Sequence, residues 1–191
     1  MAKIVEDEHG NYQIKAGKLG GVFVARAFPK PPAKTKGMIA EAAADSADAA
    51  IAALKTELDT RETVRRADRR FDEQANLSVP NEHEYLEALQ QASLSNAQIA
   101  MLRAHAIAGE DGLTTGALAR AADYKSLDTA RTTYGKAGRA LGEYLDIEVP
   151  KPSKVDGEGP IRVLAFGVAI DDGKVVWIMH PELRRAVQAA L

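Results

Sequence analysis

Apolar and polar positions along the chain change period twice, and the changes divide it. Residues Lys3–Asp7, Tyr12–Lys15 and Leu19–Phe28 alternate or run apolar in short stretches, separated by turn residues such as His9-Gly10-Asn11, and read as strands. Met38–Ala43 is a further strand candidate. The period then lengthens: Ala50, Ile51, Leu54 and Leu58 recur at helical spacing after Asp45 or Ser46, either of which suits an N-cap. This helix is expected to continue through Thr60–Asp72, TRETVRRADRRFD, and Asn76–Asn81 with Pro80 breaks it. The expectation is an α+β chain with an N-terminal β-β-β-α module over residues 1–75 and a second domain over 81–191.

In the second domain, Glu82–Ala92 predicts a helix with Tyr85, Leu86 and Leu89 inward. Ser95 and Asn96 open another, Ala97–Ala108, with Ile99, Met101, Leu102 and Ile107 apolar. Thr114 or Thr115 opens a third, carrying Leu118, Ala119 and Ala122. After a break at Asp123–Ser126 comes a fourth, whose Leu127, Ala130, Tyr134, Leu141 and Leu145 share a side. A loop rich in Pro, Gly and charge follows. Ile161–Ile170 and Lys174–Met179 then alternate across Asp171-Asp172-Gly173, a hairpin signal. Pro181 suits a first helical position, and Glu182–Leu191 closes the chain as a helix.

Helix, helix, turn, helix, loop, hairpin and helix is the order of a winged helix-turn-helix with the hairpin as wing. The helix from Leu127 to Leu145 is then the one that meets nucleic acid. Between Leu113 and Gly142 five basic residues (Arg120, Lys125, Arg131, Lys136, Arg139) stand against two acids (Asp123, Asp128). That local excess lies in a chain of formal net charge −2, so any phosphate contact must be local. The candidate nucleic-acid-binding residues are Lys125, Arg131, Thr132, Lys136 and Arg139. Two features depart from the usual motif: Asp123 stands where the turn commonly carries Gly, and Gly135, Gly138 and Gly142 interrupt the helix. Each glycine costs a helix interior about 0.5–1 kcal/mol, which points to a closely approached backbone, with internal packing the preferred partner. The arginines at 61, 65, 66, 69 and 70 lie among Glu62, Asp68, Asp72 and Glu73 and read as a solvated helix laced with ion pairs, ahead of a phosphate-binding stripe. The Pro/Lys loops PKPPAKTKG and VPKPSKVDGEGP read as ordinary solvated loops, with basic arms as the sharper alternative.

The stretch ARAADYKSLDTARTTYGKAGRALGEYL, followed by a hairpin and VVWIMHPELRRAVQAAL, resembles an uncharacterised bacterial winged-helix-like domain associated with restriction and phage-defence proteins. Tyr124, Tyr134, Gly135, Gly138, Arg139, Leu141, Trp177, His180, Pro181 and Glu182 carry that resemblance. It covers Leu113–Leu191 and implies a recognition module. The N-terminal order resembles, loosely and without a motif, HicB-like antitoxins.

No chemistry competes with a binding role. Cysteine is absent, which removes disulfides, thiol catalysis and Cys-type zinc sites. The four histidines lack metal-ligand spacing, and His180 reads as a hairpin-to-helix junction residue. AGKLGG lacks P-loop spacing and reads as a turn between strands. Trp177, the one tryptophan, reads as core. A non-enzyme without catalytic residues, cofactor or metal is therefore expected, cytoplasmic, with no membrane span and no secretory signal at its acidic start. The expected partner is double-stranded DNA, bound as a regulator or targeting subunit; alternatives are a phage-type anti-CRISPR or anti-restriction inhibitor of a protein complex, and an antitoxin. A homodimer would match paired half-sites, although no coiled-coil heptad marks one.

Overall fold

A computed structural model describes residues 4–30, 37–148, 159–170 and 174–191. The chain is α+β and divides into two compact units, Met1–Ala67 and Asp68–Leu191.

In the first unit, β1 (Val5–His9), β2 (Tyr12–Leu19), β3 (Val22–Pro29) and β4 (Ala40–Ala44) form an antiparallel sheet in chain order. Helix α1 (Ala47–Ala67) covers one face. Period-2 geometry sends Tyr12, Ile14 and Ala16 of β2 and Ala25 and Ala27 of β3 to that face, where they meet Ala50, Ile51, Leu54 and Leu58. The opposite face carries a charged row, Glu6–Lys15–Arg26–Glu41, in direct cross-strand register. Three expectations change here. Gly20-Gly21 is a two-residue turn, so the third strand starts at Val22. The candidate strand at Met38–Ala43 is a true fourth strand at 40–44, giving β-β-β-β-α. And α1 stops at Ala67. The segment expected to continue it pairs instead as β5 (Arg70–Asp72) with β6 (Leu77–Val79), around a turn whose Gln74 and Ala75 N–H groups donate to Asp72 Oδ1. An Asx turn offers the backbone an alternative to helix, and Leu77 and Val79 gain burial by taking it. The division between units therefore precedes this hairpin, which belongs with the second unit.

That unit continues with α2 (Glu82–Gln91), α3 (Asn96–Ala108), β7 (Leu113–Thr114), α4 (Thr115–Ala121), α5 (Leu127–Tyr144), β8 (Ala165–Ala169), β9 (Val175–Met179) and α6 (Pro181–Ala190). Capping boxes at Asn81/Glu84 and Ser95/Gln98 start α2 and α3, Thr114 and Ser126 cap α4 and α5, and Pro181 opens α6. Strand order is β7-β9-β8, all antiparallel. The strand expected from Ile161 begins at Ala165, because Gly159–Val163 forms a 3-10 turn. The Asp171–Gly173 tip and most of both Pro/Lys loops lie outside the described residues.

One buried ion pair organises this unit. Arg69 grips Glu84 through Nε (3.0 Å) and Nη2 (2.7 Å), and Nη2 also donates to the Leu145 carbonyl at 2.9 Å. Glu84 also closes the α2 capping box, so the ion pair joins the hairpin's approach and the start of α2 through the carboxylate and the end of α5 through the guanidinium. Two residues named among the apolar positions of these helices point outward. Ile107 is 84% exposed because α3 buries Gln98, Met101, Leu102 and His105, a stripe that leaves position 107 on the other side. Leu127 is 57% exposed, at the first residue of α5 and beyond the reach of the core stripe.

Candidate nucleic-acid interface

The two helices that carry the candidate residues, α4 and α5, are joined by the turn Ala122–Ser126, and the backbone explains its shape. The Tyr124 N–H donates to the Ala119 carbonyl (2.9 Å) and the Asp123 N–H to the Arg120 carbonyl (3.3 Å). These are the two bonds of a Schellman closure, whose left-handed position is filled by Asp123 at φ +56°. Asp tolerates that conformation better than most non-glycine residues, since its short side chain can bond locally. Tyr124 then packs against the core, Lys125 stands exposed, and Ser126 Oγ accepts the Thr129 N–H at 3.3 Å to start α5. The end of α5 repeats the device with Asp146 at φ +49° and the Ile147 N–H on the Gly142 carbonyl.

Helix α5 has two distinct sides. Ala130, Tyr134, Ala137, Gly138, Leu141 and Gly142 are buried. Arg131, Thr132, Lys136 and Arg139 are exposed, with Asp128 and Glu143 beside them. Arg131 reaches back to Asp128 at 3.0 Å, an exposed i,i+3 pair of small energetic value. Among the described residues, Lys125, Lys136 and Arg139 have no ion-pair partner. The five sequence candidates thus lie on the last part of the turn and the outward side of one helix.

The inward side explains how that surface is held. A Cβ added at Gly138 would lie 1.9 Å from the Pro160 carbonyl oxygen, so the 3-10 turn rests directly on the helix backbone. Glycine there reflects internal packing, with that turn as the partner. Deeper, His105 of α3 lies between α5 and the sheet, its Nδ1 2.6 Å from Tyr134 Oη and its Nε2 2.7 Å from the Trp177 carbonyl. A carbonyl can only accept, so Nε2 carries the proton and Nδ1 accepts from the tyrosine. Burial drives the His105 pKa down to about 4 and the Tyr134 phenol upward, so both are neutral here. One imidazole thereby ties α3, α5 and β9 together. Gly112, at φ +64°, lets the backbone pass the same carbonyl: a Cβ there would lie 2.3 Å from the Trp177 oxygen. The His105 clamp escaped sequence reading, yet its signal was present, since Gln98, Met101, Leu102 and His105 fall at the i, i+3, i+4, i+7 spacing of a buried stripe.

His180 stands at the N-cap position of α6, where its side chain makes no capping bond, and donates from Nε2 to the Arg162 carbonyl at 2.9 Å, in the junction role expected of it. Its buried Nδ1 has no hydrogen-bond partner and stands 3.8 Å from Asp72, which binds Arg70, which in turn binds Glu182. Trp177 is core. Of the residues that carry the winged-helix resemblance, Tyr134, Gly138, Leu141, Trp177 and His180 are buried and Arg139 is exposed. They describe packing far more than contact with a ligand. Among the described residues, no three His, Asp or Glu side chains cluster as a metal site, and no helix is long and apolar enough to cross a membrane. No family model, curated protein or solved structure matches the chain.

Proposed function

We propose that the second unit is a winged helix-turn-helix module that binds double-stranded DNA, with α5 as the reading helix and β8–β9 as the wing. The protein then acts as a regulator or targeting subunit. The observation that carries this reading is the outward side of α5. It sets Thr132, Lys136 and Arg139 on a rigidly backed helix, next to a closed helix-helix turn. The arrangement supports it: a short strand between α3 and α4 pairs with the second strand of the hairpin, which places α4, α5 and the hairpin around one core. A helix of this kind fits the major groove, where Arg or Lys meets guanine and Thr meets base edges or phosphate. Lys125 and Arg131 flank it as phosphate contacts.

Fluorescence anisotropy with random-sequence and genomic duplexes at two salt concentrations tests the reading. Two phosphate contacts, at Lys125 and Arg131, correspond to a slope of log K against log salt of about −1.8. The Arg131/Lys136/Arg139 triple alanine variant loses binding. No binding at low salt overturns the proposal. A second reading, a protein-binding inhibitor of a phage-defence complex, is favoured by one observation: Asp128 and Glu143 sit on the same side of α5 as the cations. It expects no DNA affinity and a stable complex with a protein partner.

A further inference from the structure

The core of the first unit is partly exposed at both edges of its sheet, and at the β1 edge, where Val5 is only partly buried, α1 reaches over it through Lys55 to Asp7 (2.7 Å) and Asp59 to His9 (2.6 Å). Its fully buried set is small and rich in alanine: Ala16, Ala25, Ala27 and Ala50 accompany Tyr12, Ile14, Ile51, Leu54 and Leu58. Ile39, Ala40, Ala42, Ala44 and Ala47, all in β4 or flanking it, pack against this core but remain only partly buried. The adjoining flank of α1 is the one whose Arg61 donates to the Ile39 carbonyl, and one turn further along it Val64 is 57% exposed.

The two edges of the sheet differ. β1 carries Glu6, Asp7 and Glu8 in succession, so pairing with its own copy about Asp7 would set acid opposite acid. That is a guarded edge. β4, sequence AEAAA, has no lysine, proline or bulge, and its single charge, Glu41, is held by Arg26 at 3.0 Å. Antiparallel pairing of β4 with a second β4 about Ala42 sets Ala42 against Ala42, Ala40 against Ala44, and Glu41 against Ala43. No like charges meet. The Ala40, Ala42 and Ala44 side chains of both copies lie on the helix-covered face and extend one core into the other.

We infer that the β4 edge is a homodimer interface, in which a second copy of the chain adds its own β4 antiparallel about Ala42 and forms one continuous eight-stranded sheet. This inference does not depend on DNA binding.

Light scattering on the full chain tests it across a dilution series, with three variants. The wild type has the mass of two chains. Ala43→Glu sets a carboxylate opposite the other copy's Glu41 twice and weakens the dimer roughly tenfold or more, while the far-UV spectrum is unchanged. Ala43→Lys, opposite the same Glu41, keeps or tightens it. Ala42→Cys supplies the chain's only thiol, and paired residues about 4.5–5.5 Å apart at Cα lie within disulfide reach, so oxidation yields a covalent dimer. A wild type that is monomeric at every concentration, a folded Ala43→Glu variant that dimerises undiminished, or an Ala42→Cys variant that does not crosslink each overturns the inference. If Ala43→Glu fails to fold, the lysine and cysteine variants decide.

Discussion

Two arginine-rich stretches behave in opposite ways. From residue 61 to 70, Arg61, Arg65, Arg69 and Arg70 are held by partners within their own units. Arg61 donates to the Ile39 carbonyl, Arg65 meets Glu62, Arg69 is buried on Glu84, and Arg70 joins Asp72 and Glu182. From residue 131 to 139 the basic side chains turn outward, and among the described residues only Arg131 has an ion-pair partner there, the exposed Asp128. Both stretches look alike as strings of basic and acidic letters. What separates them is where the acids stand. Glu84 and Glu182 are far from Arg69 and Arg70 in sequence and adjacent in space, so no local pattern reports them.

The largest test of this contrast is Arg69→Met. It strands Glu84 in a site where that carboxylate is 1% exposed, and breaking one partner out of a buried pair costs about 3–5 kcal/mol. Chemical denaturation reads the loss, and a change below about 1 kcal/mol would show that the pair does not organise the unit. Acid comes next. With its pKa near 4, His105 is neutral in the fold and protonates at its ordinary value of 6.5 once unfolded. Its contribution is complete above pH 6.5 and is lost as pH falls toward 4, about 3 kcal/mol in all. His180, also pushed down by burial, acts in the same direction. Stability measured from about pH 7 down to about pH 4.5 should decline, and the His105 ring resonances should stay in the neutral form above about pH 5.

Smaller in effect is a pair of glycine substitutions on α5. Gly138→Ala drives a methyl into the Pro160 carbonyl and destabilises by about 1–3 kcal/mol. At Gly135 the same methyl meets Ile161 at an ordinary 3.8 Å, and Gly135→Ala stabilises by about 0.5–1 kcal/mol through helix propensity. Equal melting shifts would remove the close approach from the account. The smallest change in stability belongs to the outward side: the Arg131/Lys136/Arg139 triple alanine variant should unfold within about 0.5 kcal/mol of wild type. A larger loss would mean that these side chains also hold the fold, as those at 61–70 do.

Much of the architecture was legible in local chemistry. Ala50, Ile51, Leu54 and Leu58 are the residues α1 buries, Ser95 and Thr114 cap the helices they were expected to cap, and Pro181 opens α6. The exposed residues on α5 were legible for the same reason, because the helical period assigns a side to each position. These features depend on groups within a turn or two of each other, and a sequence displays such neighbours directly. Tertiary structure decided the rest. Residues 70–79 became a hairpin because Leu77 and Val79 found a core to enter. His105 became a buried clamp because Tyr134 and the Trp177 carbonyl arrive from other elements, and Gly138 is required because a distant proline lies against it. Arg69 differs from Arg139 through an acid 15 residues away that folding brings to 2.7 Å and the Leu145 carbonyl at 2.9 Å. Burial and pairing between distant residues set those outcomes, since the free energy of a charge or a polar ring depends on what surrounds it, and only the fold supplies the surroundings.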